Sequence, residues 1–137
     1  MSLMTKMMLE SRSSRFDFAD TVTKVQEAAS ENDWTVPQVL DLQGHYHHEG
    51  RPEMRRATIV YYCSTKAGID ITRDDANKPM LVMMPTGVAV YETSSGEVRV
   101  ANMNFGLMRH MFGGEVKKAL SRSARNMAKA MAAVGVA

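Results

Sequence analysis

Three short stretches of the chain alternate between apolar and polar residues, as strands that bury one face do. The first, residues 57–63, is rich in β-branched and aromatic side chains and ends at Cys63. The other two, residues 88–92 and 97–100, flank a short polar segment that ends in Gly96 and favours a hairpin turn. The pattern predicts antiparallel strands that follow one another along the chain.

Two more strands and a helix are predicted earlier in the sequence. Residues 7–15 and residues 34–42 are typical of strands, and Pro37 in the second lacks an N–H donor, which predicts an edge strand or an irregularity. Asp17 suits a helix N-cap, and the helix should end near Asn32. Apolar residues recur along this helix at intervals of four, three and four: Phe18, Val22, Val25 and Ala29.

A long amphipathic helix is predicted at the end of the chain, over residues 115–134. Its apolar residues share one face: Val116, Leu120, Ala124, Met127, Met131 and Val134. The element order of strand, helix, strands and helix predicts an α+β fold, in which a mostly antiparallel sheet carries both helices on one face.

The remaining segments are less regular. Residues 43–56 are polar and predict a loop, in which a helical turn is the alternative for part of the segment. Residues 65–77 fit neither a helical nor a strand period. Residues 80–85 form an apolar run, which predicts a buried approach to the next strand.

Length and composition fit one domain over residues 1–137. Residues 1–6 are expected to be a leader without fixed structure. No apolar run reaches the ~20 residues that span a bilayer, so no membrane partner is expected. The single cysteine cannot form an intrachain disulfide, which indicates a cytoplasmic protein.

The net charge of +2 divides unevenly along the chain. Residues 1–53 carry 5 Lys and Arg against 9 Asp and Glu, and residues 54–137 carry 12 against 6, which gives −4 and +6. The last helix has a basic face, but no aromatic residues interleave with it and no nucleic-acid motif is present. We interpret both charge groups as solvated surface and expect no nucleic-acid partner.

Four motifs in order resemble the uncharacterised domain-of-unknown-function family 302. They are Phe18 with Thr21-Val22, the strand end Val60-Tyr61-Tyr62-Cys63, Met84-Pro85 before Val88-Ala89-Val90-Tyr91-Glu92, and Met103-Asn104-Phe105-Gly106-Leu107-Met108 before Met111-Phe112-Gly113-Gly114. The resemblance implies a strand-helix-four-strand-helix fold with a curved antiparallel sheet, often as a homodimer, and no established activity. Many relatives carry a second cysteine directly after the Met-Pro pair, where this chain has Thr86.

The strand end at Cys63 is the candidate ligand-binding site. Cys63 ends its strand, so its side chain can leave the packed layer, and Met84 precedes a neighbouring antiparallel strand. Methionines there would form an adaptable, polarizable wall. The predicted ligand-binding residues are Cys63, Tyr61, Met83, Met84 and Thr86.

A second cluster, His45, His47 and His48 beside Glu49, contains candidate metal ligands. Its spacing matches no standard zinc signature, so a solvated loop is the favoured interpretation and no metal is assigned. The sequence also lacks a Gly-x-Ser-x-Gly elbow and a phosphate-binding glycine loop. We therefore assign no catalytic residue and no cofactor.

Three functions stay open at this stage. The first is a cytoplasmic binding or accessory protein that holds a small apolar or sulfur-seeking ligand near Cys63. The second is a thiol-dependent enzyme or redox protein that uses Cys63. The third is a structural dimerisation module. The thirteen methionines also favour a homodimer, since so much apolar surface needs a cover.

Overall fold

The fold is built on one five-stranded antiparallel sheet. The computed structural model describes residues 2–136 and orders the strands β1-β5-β4-β3-β2. Their bounds are Leu9–Ser13 (β1), Thr35–Asp41 (β2), Ala57–Cys63 (β3), Thr86–Glu92 (β4) and Val98–Met103 (β5). The predicted α+β fold and the sheet of consecutive antiparallel strands are confirmed.

Six α-helices accompany the sheet in the described part of the chain. Their bounds are Leu3–Met8 (α1), Phe18–Glu31 (α2), Leu42–His48 (α3), Thr65–Thr72 (α4), Phe105–Met108 (α5) and Gly114–Ala132 (α6), with 3₁₀ turns at Asp75–Met83 and Arg109–Met111. The longer turn is called the 3₁₀ segment below. None of the helices within residues 2–136 has both the length and the apolar character that crossing a bilayer requires.

The two long helices α2 and α6 pack on the same face of the sheet. Alternation along each central strand supplies that face with apolar side chains, while the helices supply one apolar stripe each. The resulting core contains Val60, Tyr62, Val88, Val90 and Val100 from the sheet and Val25, Ala29, Leu120, Met127 and Met131 from the helices. The predicted placement of both helices on one face is therefore confirmed.

Local signals account for the ends of the first long helix. The carboxylate of Asp17 accepts a hydrogen bond of 2.8 Å from the N–H of Asp20, which caps α2 as predicted. The chain leaves the helix through Asp33, whose φ is 62°, and the N–H of Trp34 then bonds to the carbonyl oxygen of Ala29 at 2.9 Å. This turn fixes Trp34 at the entrance to β2.

The edge strand and the hairpin also follow the sequence. β2 lies at the edge of the sheet, and its pairing with β3 shifts register between Thr35 and Gln38, around Pro37. The turn between β4 and β5 closes with Gly96 at a φ of 88°, in the left-handed region that glycine adopts without strain.

Three expectations need correction. Residues 3–6 lie in helix α1, and β1 begins at Leu9 rather than at residue 7; Met1 is outside the described residues. Residues 42–48 form helix α3, which extends beyond the single turn allowed for in the predicted loop, and the Asp41 carboxylate caps it by accepting a hydrogen bond from the N–H of Gly44. Residues 80–83 of the apolar run at 80–85 form the end of the 3₁₀ segment, and Val82 is 92% exposed, since a helical turn can bury only one of its sides.

Candidate functional site

A cavity of about 410 Å³ lies where β3 ends and β4 begins, beneath α4 and the 3₁₀ segment. Elements from across the chain form its wall. The lining residues are Trp34, Tyr62, Cys63, Ser64, Thr65, Ala67, Gly68, Ile69, Ile71, Thr72, Met80, Leu81, Met83, Met84, Pro85, Thr86, Phe105, Leu120 and Ser123. We call this space the strand-end cavity.

Antiparallel pairing brings the first part of the wall together. Tyr62, the second-last residue of β3, pairs with Thr86, the first residue of β4. The end of one strand therefore lies beside the start of the next. Cys63 follows Tyr62 and is partly exposed. The chain then turns into α4, which Ser64 caps by accepting a 3.3 Å hydrogen bond from the N–H of Ala67.

Two aromatic residues in the lining of the strand-end cavity pack against each other. The ring centroids of Trp34 and Tyr62 are 5.5 Å apart with an interplanar angle of 40°. The Tyr62 hydroxyl donates a 2.5 Å hydrogen bond to the carbonyl oxygen of Val25, which ties β3 to α2. Burial raises the pKa of Tyr62 above its ordinary value, so this hydroxyl stays a donor.

Two polar atoms in the lining residues have no such partner. The indole Nε1 of Trp34 and the hydroxyl Oγ1 of Thr86 are buried, and neither finds a hydrogen-bond partner among residues 2–136. Their residues are only 5% and 6% exposed. A buried donor without an acceptor costs about 1–3 kcal/mol, so each atom calls for an explanation.

The charged side chains near the strand-end cavity lie outside its lining. The described residues that line it include no Asp, Glu, His, Lys or Arg. The nearest acid along α4, Asp70, instead forms an ion pair of 3.0 Å with Arg122 on α6. Lys66 and Arg73, on α4 and at its end, approach the same carboxylate at 3.7 Å, and the pair with Arg122 links α4 to α6.

Four of the five residues predicted for the ligand site meet at the strand-end cavity. Cys63, Met83, Met84 and Thr86 all line it. Tyr61 does not, because successive side chains of a strand alternate and Tyr61 points to the open face of the sheet, opposite Tyr62. The methionines lie on the 3₁₀ segment or directly after it, where their flexible side chains form one wall.

Sequence reasoning missed the largest lining residue. Trp34 is the single tryptophan of the chain and precedes an edge strand, but no local pattern places it beside Tyr62, 28 residues later. The sequence likewise gave no signal that Phe105 and Leu120 line a cavity. The aromatic character of Trp34 next to a strand entrance was the one available signal.

The histidine cluster forms no metal site in the described residues. His45, His47 and His48 lie exposed on α3, and the ring Nε2 of His47 is 3.0 Å from the carbonyl oxygen of Met54. No group of three or more His, Cys, Asp or Glu side chains between residues 2 and 136 is arranged to hold a metal ion.

The comparisons with known proteins identify a family and a fold. Residues 10–134 match the family described as Domain of unknown function DUF302. No curated protein matches the sequence. Among solved structures, the chain is similar to the crystal structure of the uncharacterized conserved protein DUF302 from Bacillus stearothermophilus, with a TM-score of 0.78. The two are 12% identical, and the match covers 91% of this chain and 96% of the other, so this likeness supports the fold alone.

Proposed function

The chain belongs to the DUF302 family, whose description assigns no activity, and we propose from its own cavity that it is a binding or accessory protein for a small, largely apolar molecule. The observation that carries this proposal is the strand-end cavity, with its volume of about 410 Å³ and its uncharged lining. Small-molecule sites are typically concave, of ~300–1,000 Å³ and mostly apolar with a few polar groups.

The walls of the strand-end cavity suit a ligand that enters from solvent. Ile69 and Leu81 line it and are still 62% and 54% exposed, so they form its mouth. When a ligand covers apolar side chains that are this exposed, removal of their surface from water stabilises the complex. Met80, Met83 and Met84 can change rotamer at little cost to fit such a ligand.

A thiol function is the second candidate, since Cys63 lines the same cavity and is partly exposed. A reactive cysteine needs a base or a cation that favours the thiolate. Among the described residues, the lining contains no His, Lys or Arg. Binding is therefore the better supported function, with Cys63 as a contact for the ligand.

The fluorescence of Trp34 gives a direct test, because it is the only tryptophan in the chain and lines the cavity. We propose titration with 2-acetylnaphthalene, a neutral aromatic ketone, while the indole emission is followed. Saturable quenching in the micromolar range supports the proposal. Absence of any saturable change at the solubility limit of the ketone contradicts it.

Gly68 offers a matched pair of control variants. It lines the cavity on α4, and a Cβ atom built there meets nothing within 4 Å. Gly68→Leu should fill the cavity and abolish the quenching, while Gly68→Ala, with the same gain in helix propensity, should preserve it. Equal binding by the two variants would place the ketone elsewhere.

We also propose that the protein is a cytoplasmic homodimer. The open face of the sheet supports the homodimer, since its part on β3 and β4 carries apolar side chains where antiparallel sheets that face water usually carry polar ones, while Ser11, Ser13 and Arg99 lie on the same face toward the β1 edge. The half-buried apolar residues of the face are Ile59, Tyr61, Ala89, Tyr91 and Ala101. A second copy, pairing this face with itself, would cover them. The single cysteine supports the cytoplasmic location.

A further inference from the structure

We infer that the 3₁₀ segment, Asp75–Met83, is a movable wall of the strand-end cavity, which swings outward as a unit to admit the ligand and then returns to enclose it. The inference rests on the proposed function and adds the way in which that site opens. It starts from a contrast between the segment, which has few ties to the rest of the protein, and the two elements that flank it.

The polar contacts of the 3₁₀ segment are all local. Within residues 2–136, every hydrogen bond and ion pair of residues 75–83 stays between residues 74 and 84. The pairs outside its own helical turns are Ala76 with Asp74, Asn77 with Asp74, Lys78 with Asp75, and Leu81 with Met84. Outward movement of the segment therefore breaks no polar contact with the sheet, with α4 or with the long helices of the described chain.

The apolar contacts of the segment are also few. None of its nine residues is buried, and among the described residues Met80 is the one member of the segment that packs against the core. Pro79 has no N–H, so it interrupts the hydrogen bonding of the segment near its centre. Runs of 3₁₀ helix longer than about four residues are uncommon. Regions with so few buried contacts open locally at a low cost in free energy.

Both ends of the segment lead into elements that are held firmly. On α4, Ile71 is buried and Asp70 forms the 3.0 Å ion pair with Arg122 of α6. On β4, Thr86 is buried and pairs with Tyr62 of β3. Movement is therefore confined to the segment, and its hinges are the short connections to these two elements.

The mouth of the strand-end cavity lies between a fixed residue and a movable one. Ile69 belongs to α4, whereas Leu81 belongs to the 3₁₀ segment, together with the lining residues Met80 and Met83. Outward movement of the segment separates Leu81 from Ile69 and widens the mouth. When the segment returns, its methionines adapt to the ligand and exclude water from it.

Hydrogen exchange followed by mass spectrometry tests the movement in the wild-type protein. Without ligand, the amides of residues 76–83 should exchange at least about tenfold faster than those of residues 68–72 on α4, because local opening exposes only the first set. Saturating 2-acetylnaphthalene should slow exchange of the segment about fivefold or more, since the bound ketone favours the returned state. The hairpin turn at residues 93–97 is the control and should exchange equally with and without the ketone.

Two alanine variants connect the movement to ligand entry. Met80→Ala removes the contact of the segment with the core, and Val82→Ala removes an exposed side chain of the same segment. In stopped-flow measurements of Trp34 quenching, Met80→Ala should bind the ketone about three- to tenfold faster than wild type, because a larger fraction of molecules is open. Exchange of residues 76–83 should accelerate by a similar factor. Val82→Ala should leave both rates within about twofold of wild type.

The outcomes distinguish a wrong movable wall from a wrong function. If the ketone quenches Trp34 but leaves exchange of the segment unchanged, the cavity binds the ketone and the movable wall is wrong. Exchange of the segment as slow as that of α4 also overturns it, and both measurements stand if Met80→Ala fails to fold. Faster exchange in Met80→Ala without faster binding means that the ketone enters by another route. If the ketone does not quench Trp34 at all, the proposed function fails and the movable wall fails with it.

Discussion

The ring centroids of Trp34 and Tyr62 lie 5.5 Å apart in one buried contact, but their polar atoms differ. The Tyr62 hydroxyl has a hydrogen-bond partner, whereas the Trp34 Nε1 has none among residues 2–136. The Tyr62 hydroxyl joins the sheet to α2 through Val25, and so it serves the fold. The Trp34 Nε1 is buried and has no hydrogen-bond partner among residues 2–136, although the residue is part of the lining of the strand-end cavity.

Thr86→Val should stabilise the ligand-free protein by about 1 kcal/mol, because it replaces a buried hydroxyl without a partner by an isosteric apolar group. The matched control is Thr21→Val. Thr21 is also buried, but its hydroxyl bonds to the Asp17 carbonyl oxygen at 2.6 Å, so the change should destabilise by about 1–2 kcal/mol. Urea denaturation measures both. Loss of stability in both variants would mean that Thr86 has a structural partner.

Tyr62 should make the protein sensitive to alkaline pH. Burial raises the pKa of Tyr62, so above the ordinary tyrosine pKa near 10 the unfolded state releases a proton that the folded state retains. Stability is therefore fully present below pH 10 and falls as pH rises beyond it. Absorbance titration should show that Tyr62 ionises only when the protein unfolds. Ionisation of Tyr62 before unfolding would contradict this prediction.

Glu92 should contribute to loss of stability in acid. The hydrogen bond from Arg56, at 2.5 Å, holds the pKa of this carboxyl below its ordinary value, with a second bond of 2.8 Å from Arg55. The contribution is present above the pKa of the unfolded state, ~4.3, and disappears as pH falls through the lower folded pKa. Thermal unfolding between pH 6 and pH 3 should therefore vary less steeply for Glu92→Gln than for wild type.

A loop carboxylate provides the comparison for that experiment. Glu53 is exposed, and among residues 2–136 its carboxylate forms one ion pair, with Arg51 at 3.7 Å. Such a contact contributes little, so Glu53→Gln should reproduce the wild-type pH profile. If Glu92→Gln also reproduces it, the arginine contacts of Glu92 do not stabilise the fold.

Cys63 should react with iodoacetamide in the native protein and be protected by ligand. It is partly exposed and lines the strand-end cavity, so a bound molecule would cover it. Mass spectrometry should detect one added carboxamidomethyl group, with a rate that falls when 2-acetylnaphthalene is present. Labelling that requires denaturant would show that Cys63 is inert core, and labelling at an unchanged rate would place the ligand away from it.

Light scattering at micromolar concentration should give twice the chain mass of 15.2 kDa if the open face of the sheet forms a homodimer. Ala89→Glu places a charge in the middle of that face and should give a folded monomer. Ser95→Glu, at the exposed tip of the hairpin, is the control and should remain dimeric. A monomeric wild type rejects the dimer, and a dimeric Ala89→Glu variant places the interface elsewhere.

The sequence by itself determined the elements whose signals are local. The alternation in Ala57–Cys63 predicted both its bounds and its faces, the Asp17 cap located the start of α2, and Pro37 predicted an irregular edge strand. Each of these signals acts over one turn of helix or one strand, so it can be read without knowledge of the rest of the chain.

Only the tertiary structure decided which residues share the strand-end cavity. Cys63, Met84 and Thr86 could be grouped beforehand because consecutive antiparallel strands are neighbours. Tyr61, predicted with them, is not among the lining residues, since alternation along β3 places it on the other face from Tyr62. Trp34 joins the site through packing on Tyr62, and residues 80–83 fold as the end of the 3₁₀ segment, which lines the cavity. Both depend on contacts between segments far apart in the chain, whose free energy no local window of sequence contains.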